Sequence, residues 1–206
     1  MGEPGTVVSA KDVKKLRDMT GAGMMGCKRA LMEMEGDIEK AVDLLRAKGA
    51  AKVAKRAGKS ANEGTIGSYV HFDNMTAVIV ELNCETDFVA NTDDFRALAK
   101  DLALHIASSA PIAVSRDQIP EEVLERERSV YLEQVKEGDA KPEHIVDKIV
   151  EGKMSKFLKH NTLLAQDFVK DQDKTIEELI TEVSARTGEK IGVGRFFRIK
   201  VGEEPA

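Results

Sequence analysis

Apolar residues recur at helical spacing three times within the first 49 residues, and each run is bracketed by turn or capping residues. That pattern leaves little room for anything but a small helical bundle. Ser9 opens the first run, with Asp12 three residues on as in a capping box and Val8 and Val13 placed as a hydrophobic staple. Val13 and Leu16 share a face, and Thr20-Gly21-Ala22-Gly23 ends the helix. In the second run Cys27, Ala30, Leu31 and Met34 fall at i, i+3, i+4 and i+7. Gly36 closes it, and Asp37 caps a third helix that carries Ile38, Ala41, Val42 and Leu45 and is expected to end at Gly49. Three such helices in about 40 residues stand near the lower size limit for independent folding.

The period then changes. Residues 65–72 alternate, with Ile66, Val70 and Phe72 on one side; Asp73-Asn74 makes a turn, and residues 75–83 return as the second arm of a hairpin. Thr92 caps a strong helix with a stripe of Phe95, Leu98, Ala99, Leu102 and Ile106. Pro120 opens a charged helix running to about Lys136, and Pro142 opens another with Ile145, Val146, Ile149 and Val150. Met154, Phe157 and Leu158 are assigned to a separate, shorter helix, and Thr175 caps a last one with Ile176, Leu179, Ile180 and Val183. The chain finishes on a strand whose Ile191, Val193, Phe197, Ile199 and Val201 share a face, interrupted by Arg195. The fold class is therefore α+β. A three-helix domain (1–50) and a basic connector (51–63) precede a core with a small antiparallel sheet and several helices (64–206). The connector could continue as helix through Ala57 before Gly58 breaks it.

Charge divides along the same line. Residues 1–60 hold 13 Lys/Arg against 8 Asp/Glu, a net of +5, while the remainder holds 18 against 28, a net of −10. A basic head on an acidic body suits an acidic partner surface. The whole-chain charge of −5 argues against a general nucleic-acid binder. So does the lack of aromatics interleaved with Lys14, Lys15, Arg17, Lys28 and Arg29. Cys27 and Cys84 build neither a disulfide framework nor a zinc site, which points to a reducing, cytoplasmic setting. No apolar run approaches the roughly 18 residues of a membrane span. The first residues match a myristoylation pattern poorly and read as a frayed end, and no signal or transit segment is recognisable.

Catalytic motifs are sparse. Gly21, Gly23 and Gly26 spell G-x-G-x-x-G, but a dinucleotide fingerprint needs a strand before the first glycine, and here a capped helix precedes it. The glycines instead suit a tight turn between helices. Met24 and Met25 on that turn cannot both point inward, so at least one is exposed, as suits an adaptable contact surface. His71, His105, His144 and His160 are scattered, with His105 expected on the polar side of its helix. None has a neighbour at metal-ligand spacing, no nucleophile–base set is recognisable, and no cofactor is implied.

The most informative segment is Glu81-Leu-Asn-Cys-Glu-Thr-Asp-Phe-Val-Ala-Asn91. The apolar run Ala77–Val80 feeds into it, and Thr86 and Asp87 are both good helix N-caps, so a strand ends and a helix begins here. Local physics favours Phe88 as a core residue and Asp87 as a cap.

Two segments tip that balance: Leu16 to Leu31, Leu-Arg-Asp-Met-Thr-Gly-Ala-Gly-Met-Met-Gly-Cys-Lys-Arg-Ala-Leu, and the Glu81–Asn91 stretch. With Lys153-Met-Ser-Lys-Phe-Leu158, Gln166-Asp-Phe-Val169 and Arg195-Phe196, they closely resemble the bacterial translation elongation factor Ts family, in order and over nearly the whole chain. The chain looks like the short form, with one core module. The resemblance implies a ubiquitin-associated-like head on an α+β core, and a guanine-nucleotide exchange factor for elongation factor Tu without catalytic residues of its own. Carried over, Thr86, Asp87, Phe88 and Val89 match the segment that disturbs the partner's Mg²⁺ site. Lys14, Arg17, Met24, Met25 and, in the connector, Lys52 match docking positions. A non-covalent homodimer is expected, because a single core module leaves sheet edge or face uncovered. Gly26 departs from the family, which usually has an acid there. The alternative is a ubiquitin-associated-like peptide-binding adaptor, which leaves Glu81–Asn91 unexplained.

Overall fold

A computed structural model describes residues 8–137 and 142–203; the amino-terminal segment read as a frayed end lies outside them. The chain forms two compact units. One takes the chain up to Gly64 together with Asn83–Phe95 and Ile180–Gly192; the other takes Thr65–Leu82, Arg96–Leu179 and the chain from Val193 on.

The first unit opens with α1 (Ala10–Thr20), α2 (Met24–Glu33) and α3 (Ile38–Lys55). Ser9 caps α1 by accepting from the Asp12 N–H, and its hydroxyl donates to the Asp12 carboxylate at 2.6 Å. Asp37 caps α3 by accepting from the Lys40 N–H. Val13, Leu16, Cys27, Ala30, Leu31 and Ala41 make the core, flanked by Val8, Met34, Ile38, Val42 and Leu45. The expected helical stripes are thus the packed faces. Gly21 is the left-handed cap of α1, as a helix-to-helix turn requires. Both Met24 and Met25 are exposed.

Gly49 does not end the third helix, which runs on to Lys55. Ala50, Ala51, Lys52, Val53, Ala54 and Lys55 include strong helix formers that carry the pattern past it, at the ~1 kcal/mol cost of a helical glycine. The glycine answers a packing need, since a Cβ there would stand 3.0 Å from the Ala185 methyl.

In the second unit β1 (Glu63–Val70) and β2 (Thr76–Cys84) form the expected hairpin, and β5 (Gly192–Lys200) adds to the far side of β2, giving the antiparallel order β1-β2-β5. Val78, Val80 and Leu82 are buried. At Gly67 an added Cβ would lie 2.3 Å from the Ala99 carbonyl oxygen of α5 (Asp93–Ser109), so only glycine lets that helix pack so closely. Burial follows the Gly67 side of β1. Ile66, Val70 and Phe72 therefore face solvent, together with Ile79, Phe197, Ile199 and Val201.

Two further assignments change. Met154, Phe157 and Leu158 belong to a single helix, α7 (Glu143–Asn161), and pack against Ala113, Ile119 and Leu124, the last on α6 (Glu121–Lys136). Gly152 lies just before them but does not break α7, because a helical glycine costs only ~1 kcal/mol. His105 is fully buried rather than on a polar face. Its Nδ1 accepts from the Val169 N–H at 3.2 Å, so Nε2 carries the proton and donates to Gln166 Oε1 at 2.9 Å. Burial lowers its pKa and keeps the ring neutral. A short hairpin, β3 (Asp167–Phe168) with β4 (Asp171–Thr175), was not legible as strand. Thr175 caps α8 (Ile176–Thr187), its hydroxyl accepting from the Glu178 N–H while Glu178 accepts from the Thr175 N–H. No helix among the described residues is long and apolar enough to cross a membrane.

Candidate functional site

At the end of β2 the chain turns sharply into α4, the single turn Asp87–Ala90. Thr86 is its N-cap, in extended conformation, with its hydroxyl accepting from the Val89 N–H. Val89 and Ala90 point inward and anchor the turn. Asp87 and Phe88 point outward, and Phe88 is 83% exposed. The ring that local physics would place in the core stands in solvent, because the inward positions of so short a helix are already taken.

Two carboxylates hold this corner from behind. Glu189 accepts from the backbone N–H of Glu85 at 3.1 Å and of Thr86 at 3.0 Å through one oxygen, and from the Thr86 hydroxyl at 2.6 Å through the other. Glu85 accepts a two-pronged bond from the Arg56 guanidinium, both contacts at 2.7 Å, and the Lys190 N–H at 2.7 Å. The Arg56 hydrogen bonds, seconded by the Lys190 amide, depress the Glu85 pKa to about 2. The Lys190 ammonium donates to the carbonyls of Ala57 and Lys59. Beneath the corner the buried Cys84 thiol donates to the Thr86 carbonyl, and desolvation raises its pKa and keeps it protonated.

The Glu189–Lys190 pair is itself positioned by the end of α8. Gly188 takes a left-handed φ of 76°, bonding back to the Ser184 carbonyl at 2.9 Å, and so turns the chain out of the helix. The Ser184 hydroxyl donates to the Glu189 carbonyl. The same stretch reaches the helical head through Arg46–Glu182 at 3.8 Å and the close fit of Ala185 on Gly49. Arg56, in turn, is the C-cap of α3.

All nine residues singled out from the sequence lie in this first unit. Lys14 and Arg17 are exposed on α1, Met24 and Met25 on the first turn of α2, and Lys52 near the end of α3. Thr86, Asp87, Phe88 and Val89 form the corner, so segments far apart in sequence meet in one body. Lys52 stands on the helical continuation of α3, which runs into the connector as far as Lys55. Sequence reasoning missed Glu189 and Lys190 and gave Glu85 and Arg56 no role. Glu85 sat inside the informative segment, and Arg56 was one charge in a basic run. Nothing local marks Glu189, which lies more than 100 residues from its partners in the chain.

What the corner can do is present a ring and a carboxylate to a partner from a support of paired polar groups. Comparison with known proteins agrees with the sequence motifs. The family model described as elongation factor TS matches residues 9–203. The chain is 51% identical to elongation factor Ts of Thermosipho melanesiensis over 96% of this chain and 100% of the relative. It is 52% identical to the Thermotoga neapolitana protein of that name over 96% and 98%, and 52% identical to the Syntrophomonas wolfei one over 96% and 92%. The chain belongs to the elongation factor Ts family of translation elongation factors.

Proposed function

We propose that this protein is a guanine-nucleotide exchange factor that binds GDP-loaded elongation factor Tu and promotes GDP release by disturbing its Mg²⁺ and phosphate site. The observation that carries the proposal is Phe88, exposed on a one-turn helix that two carboxylates brace from behind. GDP in such GTPases is held largely through Mg²⁺ and backbone donors around the phosphates. An exchange factor need only bind the state in which those donors and the metal are misplaced. Phe88 inserts into an apolar crevice of the partner, contributing about 1.5–3 kcal/mol. Asp87 competes for hydrogen bonds or repels the metal's ligand shell, and Thr86 and Val89 hold the pair in place. Each tenfold weakening of GDP needs about 1.4 kcal/mol, so one ring does not suffice. Lys14, Arg17, Met24, Met25 and Lys52 supply docking contacts to the deformed state. Coupling is reciprocal, so nucleotide expels this protein as readily as it is expelled.

In this reading residues 1–50 are the docking head, 51–63 join it to the rest, and 64–206 form the core and dimerisation domain. The protein works in the cytoplasm without catalytic residues, cofactor, nucleic acid or membrane of its own. Two copies associate through the solvent-facing side of the sheet, where Ile66, Ile79 and Phe197 surround a shallow depression edged by Glu81 and Arg195. Cys27 and Cys84 are both buried, which supports a non-covalent dimer.

Stopped-flow measurement of GDP release from elongation factor Tu tests the proposal. Phe88→Ala is expected to keep the fold and to slow release roughly 10- to 150-fold, the equivalent of losing one buried ring. Unchanged release in a folded variant would refute the mechanism. Retention of free ubiquitin or peptides instead of the nucleotide-free GTPase would favour the adaptor.

A further inference from the structure

We infer that Glu189 is a positioning residue for nucleotide exchange, coupling the Thr86–Val89 corner to the helices that carry the docking residues. The inference rests on the exchange reading of that corner.

Of the residues proposed to meet the partner, Glu189 hydrogen-bonds Thr86, and it does so through that residue's backbone as well as its hydroxyl. Its carboxylate takes three donors from two consecutive residues, the N–H groups of Glu85 and Thr86 and the Thr86 hydroxyl. Two backbone donors and one side-chain donor on a single carboxylate define where the backbone lies and which way Thr86 turns. Thr86 in turn sets the first turn of α4, since its hydroxyl also accepts from the Val89 N–H. The direction of Phe88 is thereby tied to one side chain on the exit of α8.

That exit is tied to the head as well. The Lys190 amide donates to Glu85, whose other partner is Arg56 at the cap of α3, and the Lys190 ammonium donates to the carbonyls of Ala57 and Lys59. Arg186, one turn earlier, pairs with Asp94 at 3.6 Å, and its side chain packs over Gly21, between α1 and α2. Force developed when the head docks is delivered to the corner through these bonds rather than dissipated in a loose loop. A corner displaced by ~1 Å costs on the order of 100-fold in a reaction that depends on placement.

Two full-length variants test this, Glu189→Ala and Glu189→Gln. In the free protein, hydrogen exchange at the Glu85 and Thr86 amides is expected to quicken in Glu189→Ala and less in Glu189→Gln, which keeps one acceptor oxygen. That readout does not depend on the exchange reading. With elongation factor Tu, Glu189→Ala is expected to lower the maximal GDP-release rate about tenfold or more while the half-saturating concentration moves less than about threefold, with partial rescue by Gln. A merely structural role would weaken both in step. Wild-type maximal release, or unchanged protection of the two amides, overturns the inference. Should Glu189→Ala not fold, the same criteria apply to Glu189→Gln. Phe88→Ala run beside them separates the two failures. A slow Phe88→Ala with a normal Glu189→Ala refutes the positioning role alone, whereas normal rates in both refute the exchange mechanism.

Discussion

Each of the two units leaves apolar side chains in water, and they do so in opposite ways. Beyond the exposed methionines of its helices, the first presents one ring, Phe88, on a single helical turn, with Asp87 beside it and Glu85 and Glu189 each taking three donors behind it. The second exposes a broad face of Ile66, Val70, Ile79, Phe197 and Ile199, with the Arg195–Glu81 pair at 2.9 Å as a polar element. Exposure alone does not separate a wedge from a self-association surface; the support does. A single ring held by charged hydrogen bonds has a direction and suits insertion into a pre-existing crevice. A broad apolar face has area without direction and suits another face like itself.

Crossed substitutions test whether the two exposed surfaces have separate roles. Phe88→Ala should give the larger effect per ring, a 10- to 150-fold loss of exchange rate, without altering association. Phe197→Ala should leave GDP release per folded chain near wild type and weaken dimerisation, by about tenfold for each of the two rings a symmetric pair loses, by analytical ultracentrifugation. The smaller figure per ring follows from exposure, since Phe197 has 62% of its surface left to bury against 83% for Phe88. Exchange lost through Phe197, or dimer lost through Phe88, would dissolve the distinction.

Acid should also separate the units. His105 in the second unit has a folded-state pKa lowered below 6.5 by burial. Below about pH 6.5 the unfolded chain gains a proton there that the native ring resists, so this contribution to stability falls with pH until the folded pKa is reached. Glu85 in the first unit works lower. Its pKa of about 2 lies under the unfolded 4.5, so its contribution is intact above about 4.5 and is lost between 4.5 and 2. Residue-resolved hydrogen exchange between pH 7 and 5 should therefore show the surroundings of His105 loosening while the corner amides keep their protection. His105→Gln should flatten the first response only. Simultaneous loosening of both would show that the stability of the corner follows His105 rather than Glu85.

The uneven legibility of the chain has the same physical origin. Helices α1 to α3 were readable because caps and 3.6-residue spacing act within a few residues of the sites they determine. The corner was half readable. Thr86 announces a helix start locally, but the outward direction of Phe88 depends on Val89 and Ala90 taking the inward positions, and the family motif supplied what periodicity could not. Glu189 was unreadable, because a carboxylate serving donors a hundred residues away leaves no periodic trace. Gly49 misled for a related reason. A glycine that admits the Ala185 methyl looks, in sequence, like one that ends a helix. On the sheet the alternation of Ile66 and Val70 was plain, yet which side is buried was decided by the approach of α5 at Gly67.

The smallest expected effect lies within the first unit, at Gly26. It stands in the first turn of α2, whose N-cap Gly23 makes no side-chain capping bond and whose first turn contains no acid. A Cβ at Gly26 would meet nothing within 4 Å. Replacing it by Glu removes the excess flexibility of glycine, worth about 0.5–1 kcal/mol, and places a negative charge near the helix amino terminus, worth about 0.3–1 kcal/mol. Gly26→Glu should therefore raise the melting temperature by a few degrees. The same substitution separates docking from insertion. It lies beside the exposed Met25 and far along the chain from the corner, so it should alter the half-saturating concentration for exchange while leaving the maximal rate unchanged. A change in maximal rate instead would mean that the first turn of α2 does more than dock, its state reaching Phe88 through the bonds that join the head to the corner.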